Sequence, residues 1–526
     1  MKKTILLFVI TNLAKGLSAQ PITYSEHIAP IIYNHCTSCH RPGEIAPFSL
    51  TSFAEVSSWG DMIKYVTDIK FMPPWKADPT YRRYQKENFL SDTQIQLIKE
   101  WVDNGMPQGN PGLEPPLPIF PTGSQIGIPD LVLSFSQSHL IQDVNQDEYR
   151  YFILPTGLTT DKDLVALEVR PGNKSKVHHA LCWADTTGEG AAADAATPEY
   201  GYENTSGSVG LNGLNSQLPG YVPGQKANLL TNGIAQRLPA GADLKIQIHY
   251  APSTTVETDS TTVNLFFAQQ PATRYLKSKV MVPFFGTLTN GPFIIQPNTV
   301  KRFHGTWTLT EKVSLMGINP HMHMLGKDWE VFAVTPTSDT VPLIKINDWD
   351  FNWQGTFYFK RLIPLPINTV IHAFATYDNT SNNINNPNSP PQQVGWGENT
   401  SDEMYYLPIL YLSYQNGDEN VVFEEDEPVG EKNNQLYVVN DKLYPVYPNP
   451  SGNRVQVGFT LSSGGFVTLS VFDLNGRIVN EVIQNQFCLP GMHINEVDIS
   501  SFDAGVYTVR MVIDGKTQSQ KFVVAD

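Results

Sequence analysis

Leu244-Lys245-Ile246-Gln247-Ile248-His249-Tyr250 alternates apolar and polar residues without a break. Side chains leave a strand on opposite faces in turn. Leu244, Ile246, Ile248 and Tyr250 therefore share one face, and Lys245, Gln247 and His249 the other. The alternation predicts a half-buried β-strand with His249 pointing away from its apolar side. Similar runs recur between residues 123 and 427, each broken by Gly, Pro, Asn or Thr; Leu131 to Phe135, Leu164 to Val169 and Ile367 to Tyr377 are examples. Strand signals at this spacing predict β-sandwiches, and a region of about 305 residues is large enough for two.

A different pattern precedes them. Cys36-Thr37-Ser38-Cys39-His40 is a C-x-x-C-H run. Two thiols so spaced can add to both vinyl groups of one haem, and the histidine that follows reaches the iron from one side. A zinc knuckle would need a second close cysteine pair, which the chain lacks. A thioredoxin-like dithiol would stand near a βαβ pattern, and none is apparent. The sixth iron ligand is expected downstream. Met72, in Phe71-Met72-Pro73-Pro74-Trp75, is the leading candidate because two prolines fix the backbone behind it; Met62 and Met106 are alternatives. A Met/His pair raises the haem potential. Ile95, Leu97, Ile98, Trp101 and Val102 give an apolar stripe between an N-cap at Ser91 and a stop at Gly105, which predicts a helix. With the CTSCH, RPGEIAPF and FMPPW segments, residues 20–108 resemble a small class I cytochrome c. The resemblance implies an all-α domain and one covalently bound haem c on Cys36, Cys39, His40 and Met72.

The chain has 526 residues, too many for one core, so several domains are expected. Its net charge is −15, which argues against a nucleic-acid surface. Charged residues are only 17%, with 38 Gly and 39 Pro, a balance that favours β-rich, loop-rich domains. Lys2 and Lys3 precede the apolar run Ile5 to Ile10, and Leu17-Ser18-Ala19 supplies small residues for a cut. Residues 1–19 thus read as a secretory signal, too short to span a bilayer. Of the four cysteines, Cys182 and Cys488 stand in unlike segments, and no disulfide between them is expected. Residues 109–122 are a Pro/Gly-rich linker, and 428–443 an acidic and polar one.

Histidines gather in three places: His178-His179, His249, and His321-Met322-His323-Met324-Leu325-Gly326. Two histidines at i and i+2 on a strand leave the same face and can grip one metal, whereas adjacent histidines need a bend to share one. Gly172-Asn173 is the nearest breaker, and Met322 and Met324 should point into the core. Imidazoles alone do not name the metal. The order His-His, then His-Tyr after an alternating strand, then His-x-His-x-Leu-Gly, then Asp402-Glu403-Met404 after Gly397-Glu398-Asn399-Thr400, resembles the copper type II, ascorbate-dependent monooxygenases. That family includes peptide-amidating hydroxylases and dopamine β-monooxygenase. The resemblance implies two jelly-roll-like β-sandwich copper domains, 123–285 and 286–427, and two copper ions. His178, His179 and His249 would hold the electron-transfer copper; His321, His323 and Met404 would form the catalytic centre that meets oxygen.

The implied reaction inserts one atom of O2 into a substrate C–H bond and needs two electrons. Ascorbate, another redox protein or the fused haem is the expected donor. The substrate is expected to be a small molecule or peptide-like. Peptide-amidating members carry arginine where this chain has Asn319, so a peptide C-terminus is not supported. The other reading is a non-catalytic extracellular redox or copper-binding protein, and Met404 argues against it, because an electron shuttle has no need of an open, thioether-bearing copper. The remaining histidines, among them His304 and His372, read as structural.

Residues 444–526 form a last β domain, an immunoglobulin-like sandwich. Tyr447-Pro448-Asn449-Pro450, Leu474-Asn475-Gly476-Arg477-Ile478-Val479 and the Gly505-to-Val524 finish resemble the C-terminal sorting domain of type IX secretion. This implies contact with that machinery and a secreted or cell-surface location reached through the periplasm. The expected fold is thus multidomain and mainly β.

Overall fold

The computed structural model describes residues 21–120, 123–142, 146–203, 217–397, 399–425, 441–443, 446, 454–461, 465–488, 491–513 and 515–524. Residues 1–19, Glu398, most of the second linker and the Tyr447–Pro450 motif lie outside them. The fold is mainly β with a few short helices, in two compact units that divide at Asp426/Glu427. No helix among the described residues is long and apolar enough to cross a membrane.

The first unit opens with helices α1 (Ala29–His35), α2 (Phe53–Ser58), α3 (Gly60–Asp68) and α4 (Asp92–Asp103). Ser91 and Gln94 close a capping box on α4, satisfying backbone N–H groups that a helix start leaves unpaired. Ile98, Trp101 and Val102 of α4 pack with Tyr24, Ile28, Ile32 and Val56 in a small core.

The first sandwich sets a four-stranded sheet (Glu148–Pro155, Asp243–Tyr250, Val177–Asp185, Gln217–Tyr221) against a five-stranded one containing Lys162–Arg170 and Thr262–Phe267. Leu244, Ile246, Ile248 and Tyr250 are fully buried between them. Each such side chain contributes about 1.5–3 kcal/mol, which fixes the strand's face and so sends Lys245, Gln247 and His249 to the other side.

The second sandwich pairs the sheet Lys277–Met281, Leu407–Ser413, Val313–Ile318, Phe357–Leu365 with the sheet Thr299–Thr308, Val370–Asn379, Gly326–Val334, Thr340–Ile346. The chain changes sandwich earlier than residue 286. Arg274–Tyr275 still pairs with Ile234–Ala235, while Lys277–Met281 pairs with Leu407–Tyr411. The switch falls at Leu276, between two strands too short to show as separate runs.

One segment crosses between parts. Trp75 to Gln85 leaves the helical core and lies along the second sandwich. Asp78 N–H donates to Lys345 O (2.8 Å), Gln85 N–H to Tyr358 O (2.8 Å) and the Tyr84 hydroxyl to Leu343 O (2.7 Å). Ala77 and Tyr84 belong to that sandwich's core. The second unit is a separate pair of antiparallel sheets, centred on Arg454–Leu461 and Gly465–Phe472, with its own core. Cys182 and Cys488 are buried in different cores, and no disulfide joins any of the four cysteines.

Candidate functional site: two histidine clusters facing one cavity

His178 and His179 end up on one side of their strand through a β-bulge. The register against Asp243–Tyr250 shifts between Val177 and His179, leaving His178 as the extra residue. A bulge puts two successive side chains where a regular strand puts one. Gly172-Asn173 is not the bend; Asn173 closes the turn before the strand by accepting from Val177 N–H at 3.0 Å. His179 stands directly opposite His249. The three Nδ1 atoms converge: His178 to His179 is 3.2 Å, and His249 to His179 is 3.4 Å. Ligands about 2.0–2.1 Å from one ion at tetrahedral angles lie at such separations. His178, His179 and His249 form a metal-competent group among the described residues. The far nitrogen of His249, Nε2, meets Asp147 Oδ1 at 2.6 Å, which fixes its tautomer and leaves Nδ1 for a metal. Burial lowers His178 to about 4 and, with His249, holds His179 well below the ordinary value, so both are neutral ligands at pH 7.

His321 and His323 lie just beyond the end of the strand Val313–Ile318 rather than within a regular strand. His321 bridges to Tyr406, and a turn follows at Met324-Leu325. Their rings are 5.1 Å apart and nearly perpendicular. The turn wraps around the buried Glu403 carboxylate, which accepts from the N–H groups of His323 (2.9 Å), Leu325 (2.6 Å) and Met404 (3.1 Å). Burial pushes Glu403 up to about 8 even though those N–H groups pull in the opposite direction. His323 Nδ1 sits 3.1 Å from Asp402 O, which frees Nε2, and Tyr377 donates to Met404 O (2.8 Å). The His321–Tyr406 bridge brings Met404 in beside the pair. Burial lowers His321 to about 3, with the neighbouring His323 as a lesser cause, and burial lowers His323 to about 4. Met322 is buried in the core as expected, while Met324 is only half-buried.

A cavity of about 430 Å³ is lined by His179 of the first cluster and by His321, His323 and Met404 of the second. Phe351 lies between the clusters. Its ring centroid is 5.4 Å from His178, 6.2 Å from His249 and 5.8 Å from His323. The same loop sets Asn352 against His178 and Gln354 against His321. Tyr149 stacks on His249 at 4.3 Å, and its hydroxyl meets Thr400 Oγ1 at 2.8 Å, tying the first cluster to the loop before Met404. Asp147, Tyr149, Phe351 and Glu403 carry no motif of their own in the sequence. Their roles come from what faces them.

In the helical part, His40 Nδ1 lies 3.1 Å from Phe48 O, leaving Nε2 free. Phe48 packs on His40 and stacks on Trp59. Trp59, Met62, Tyr65, Ile69 and Phe71 stand exposed along and beside α3, an apolar face of the kind a macrocycle would cover. Two thiols, a free imidazole nitrogen and that face fit a covalently held haem. Met72 is half-buried at the head of the segment that runs onto the second sandwich; Met106 instead packs against the helical core and over Gly60. Glu44 joins Arg41 and Lys174 (2.6 Å each), fastening the C-x-x-C-H loop to the first sandwich. His304 and His372, on the outer face of the second sandwich, hydrogen-bond to each other at 2.9 Å.

Residues 445–525 match the family model of the secretion system C-terminal sorting domain. The terminal domain is thus a type IX sorting domain, and it supports secretion or a cell-surface location through that machinery. No curated protein matches the chain. Among solved structures, β-glucuronidase from Parabacteroides merdae aligns at 9% identity and a TM-score of 0.13, over 43% of this chain and 27% of that one. The β-glucuronidase of Faecalibacterium prausnitzii aligns at 11% and 0.13, over 50% and 48%. The VP2 subviral particle of infectious bursal disease virus aligns at 9% and 0.16, over 56% and 75%. The chain spans less than half the length of these glucuronidases.

Proposed function

We propose that this protein is a secreted copper-dependent monooxygenase that hydroxylates a substrate C–H bond with O2 and receives electrons through its own c-type haem. The observation that carries the reading is the convergence of three Nδ1 atoms at 3.2 and 3.4 Å, across one cavity from a second cluster that ends in a thioether. Copper bound in these clusters would supply the activation of O2, and haem the stored electrons. The chain's residues do the rest. His178, His179 and His249 offer three neutral imidazoles, suited to a metal that only passes electrons. His321, His323 and Met404 offer a softer set, suited to the reduced metal that meets O2. Asp147 and the Asp402 carbonyl hold tautomers, and Glu403 holds the turn that aims His323 and Met404. Phe351 stands between the clusters and spaces them. Cys36, Cys39 and His40, with Met72, would hold the haem.

A plain electron carrier has no use for a cavity lined by two unlike clusters, and that cavity favours the enzyme. Purified, copper-loaded full chain should bind two coppers and one haem and consume oxygen in a substrate-dependent way. One copper, zinc in native material, or oxygen uptake indifferent to every added substrate would sink the reading.

A further inference from the structure

The cavity wall has an unusual composition for an acidic protein. The chain carries 36 Lys and Arg and 51 Asp and Glu. Among the described residues that line the cavity, not one is Asp, Glu, Lys or Arg. Beside hydroxyls and imidazoles, its polar groups are neutral amides, Gln217, Gln225, Gln236, Gln247, Gln354 and Asn319. Several are pinned by neighbours and cannot swing to meet a charge. The Tyr406 hydroxyl donates to Gln217 Oε1 (2.8 Å), Gln247 donates to the Tyr151 hydroxyl (2.7 Å) and Gln225 to Thr356 O (2.6 Å). Much of the remaining wall is apolar, with Leu181, Leu218, Phe284, Trp396 and Leu410.

Two polar atoms on this wall stand out. Trp183 Nε1 and Ser278 Oγ are buried and have no hydrogen-bond partner. Trp183 is 2% exposed. An indole N–H can only donate, and a buried donor left unpaired is costly. Such a donor beside an open cavity marks a place for a ligand's oxygen. The lining side chains themselves offer a ligand ammonium or carboxylate no counter-charge, and burying an unpaired charge costs far more than burying a neutral group.

We propose that the substrate is an uncharged, largely apolar molecule of one or two rings, bearing a hydroxyl, ether or carbonyl oxygen that accepts from Trp183 or Ser278. This rests on the monooxygenase reading for the reaction, though not for the binding. The cavity's 430 Å³ falls in the range of small-molecule sites. Selectivity follows from the wall: neutral skeletons are admitted by shape, and charged versions of the same skeleton are refused by desolvation.

The test uses one skeleton in three charge states. Binding of 2-phenylethanol, 2-phenylethylammonium and 3-phenylpropionate to the copper-free full chain, where only the wall can discriminate, is measured by calorimetry and by tryptophan fluorescence. The neutral alcohol should bind at least about tenfold tighter than either ion, as a site without charge partners requires. An ion that binds as well as the alcohol, or an alcohol that does not bind at millimolar concentration, overturns the proposal. Ser278→Ala should weaken the alcohol several-fold while the copper count stays the same, and Gln247→Glu should turn the preference toward the ammonium. Selective binding of the alcohol without oxygen uptake would remove the enzyme and keep the ligand class. Oxygen uptake driven best by an ion would do the reverse.

Discussion

Glu403 illustrates how one side chain can hold a site without touching a ligand. Its carboxylate gathers three backbone N–H groups from both sides of the second cluster, at 2.6 to 3.1 Å. Removing it leaves those donors buried and unpaired, at about 1–3 kcal/mol each. Glu403→Ala should therefore lower stability by roughly 3 kcal/mol or more and lose the copper of the His321, His323 and Met404 site. The check is denaturant unfolding with metal analysis; Glu403→Gln, which keeps one acceptor oxygen, should lie between. Full copper retention in the Ala variant would show that the turn holds itself. His249→Ala should act on the other cluster alone, releasing one copper and sparing the second; loss of both would mean that the clusters are not separate sites. At this scale the sequence was readable where a residue type announces its chemistry. His178, His179 and His249 are such residues, and the structure brings them together. Glu403 and Asp147 were not readable as parts of the site, because a carboxylate means nothing until its partners are known.

Among the elements, the alternation from Leu244 to Tyr250 was legible because a strand buried on one face must repeat every second residue. The bulge at His178 was not. A bulge changes the count of residues on one strand against its neighbour, so it exists only in the pairing. The segment from Trp75 to Gln85 was also misplaced by a linear reading. It lacks a strand pattern of its own and borrows its burial from Phe357, Phe359 and Leu343 of a distant sandwich. The Lys76 ammonium then reaches Asp348 (3.3 Å) and Asp350 (3.5 Å), in the loop that carries Phe351. That loop spaces the two histidine clusters. Phe351→Ala should leave both coppers bound but change the distance between them, because the ring that three imidazoles rest against is gone. Pulsed dipolar EPR of the oxidised, copper-loaded protein reads that distance directly. An unchanged distribution would reduce Phe351 to a lining residue.

At the scale of the whole molecule, the buried histidines tie stability to pH. Without metal, burial holds His178 near 4, His321 near 3 and His323 near 4, against about 6.5 in an unfolded chain. Between those values the unfolded chain binds more protons than the folded one, so stability rises with pH and is lost as pH falls from about 6.5 toward 4. The metal-free protein should lose roughly 1–2 kcal/mol per such histidine between pH 7 and pH 5, read as a lower urea midpoint. An unchanged midpoint would place water, not protein, around these rings. The proposed haem would stand close to the first cluster. Cys39 lies against Gly224, and the Tyr221 hydroxyl stands within electrostatic reach of Cys39 and Glu44. Tyr221 pairs across the sheet with Ala180, the residue after His179. The C-x-x-C-H loop and the first cluster are thus separated by one strand, Gln217–Tyr221, close-packed where Gly220 meets the Ala180 carbonyl. If haem iron feeds that cluster, ferrous haem should reoxidise under O2 faster in copper-loaded protein with substrate than in copper-free protein. Met404→Ala should slow the oxygen chemistry while still letting the haem reduce the His178 site. Stopped-flow absorbance of the ferrous haem distinguishes the cases, and equal rates in all three proteins would mean that the haem and the copper sites share a chain but no electron path.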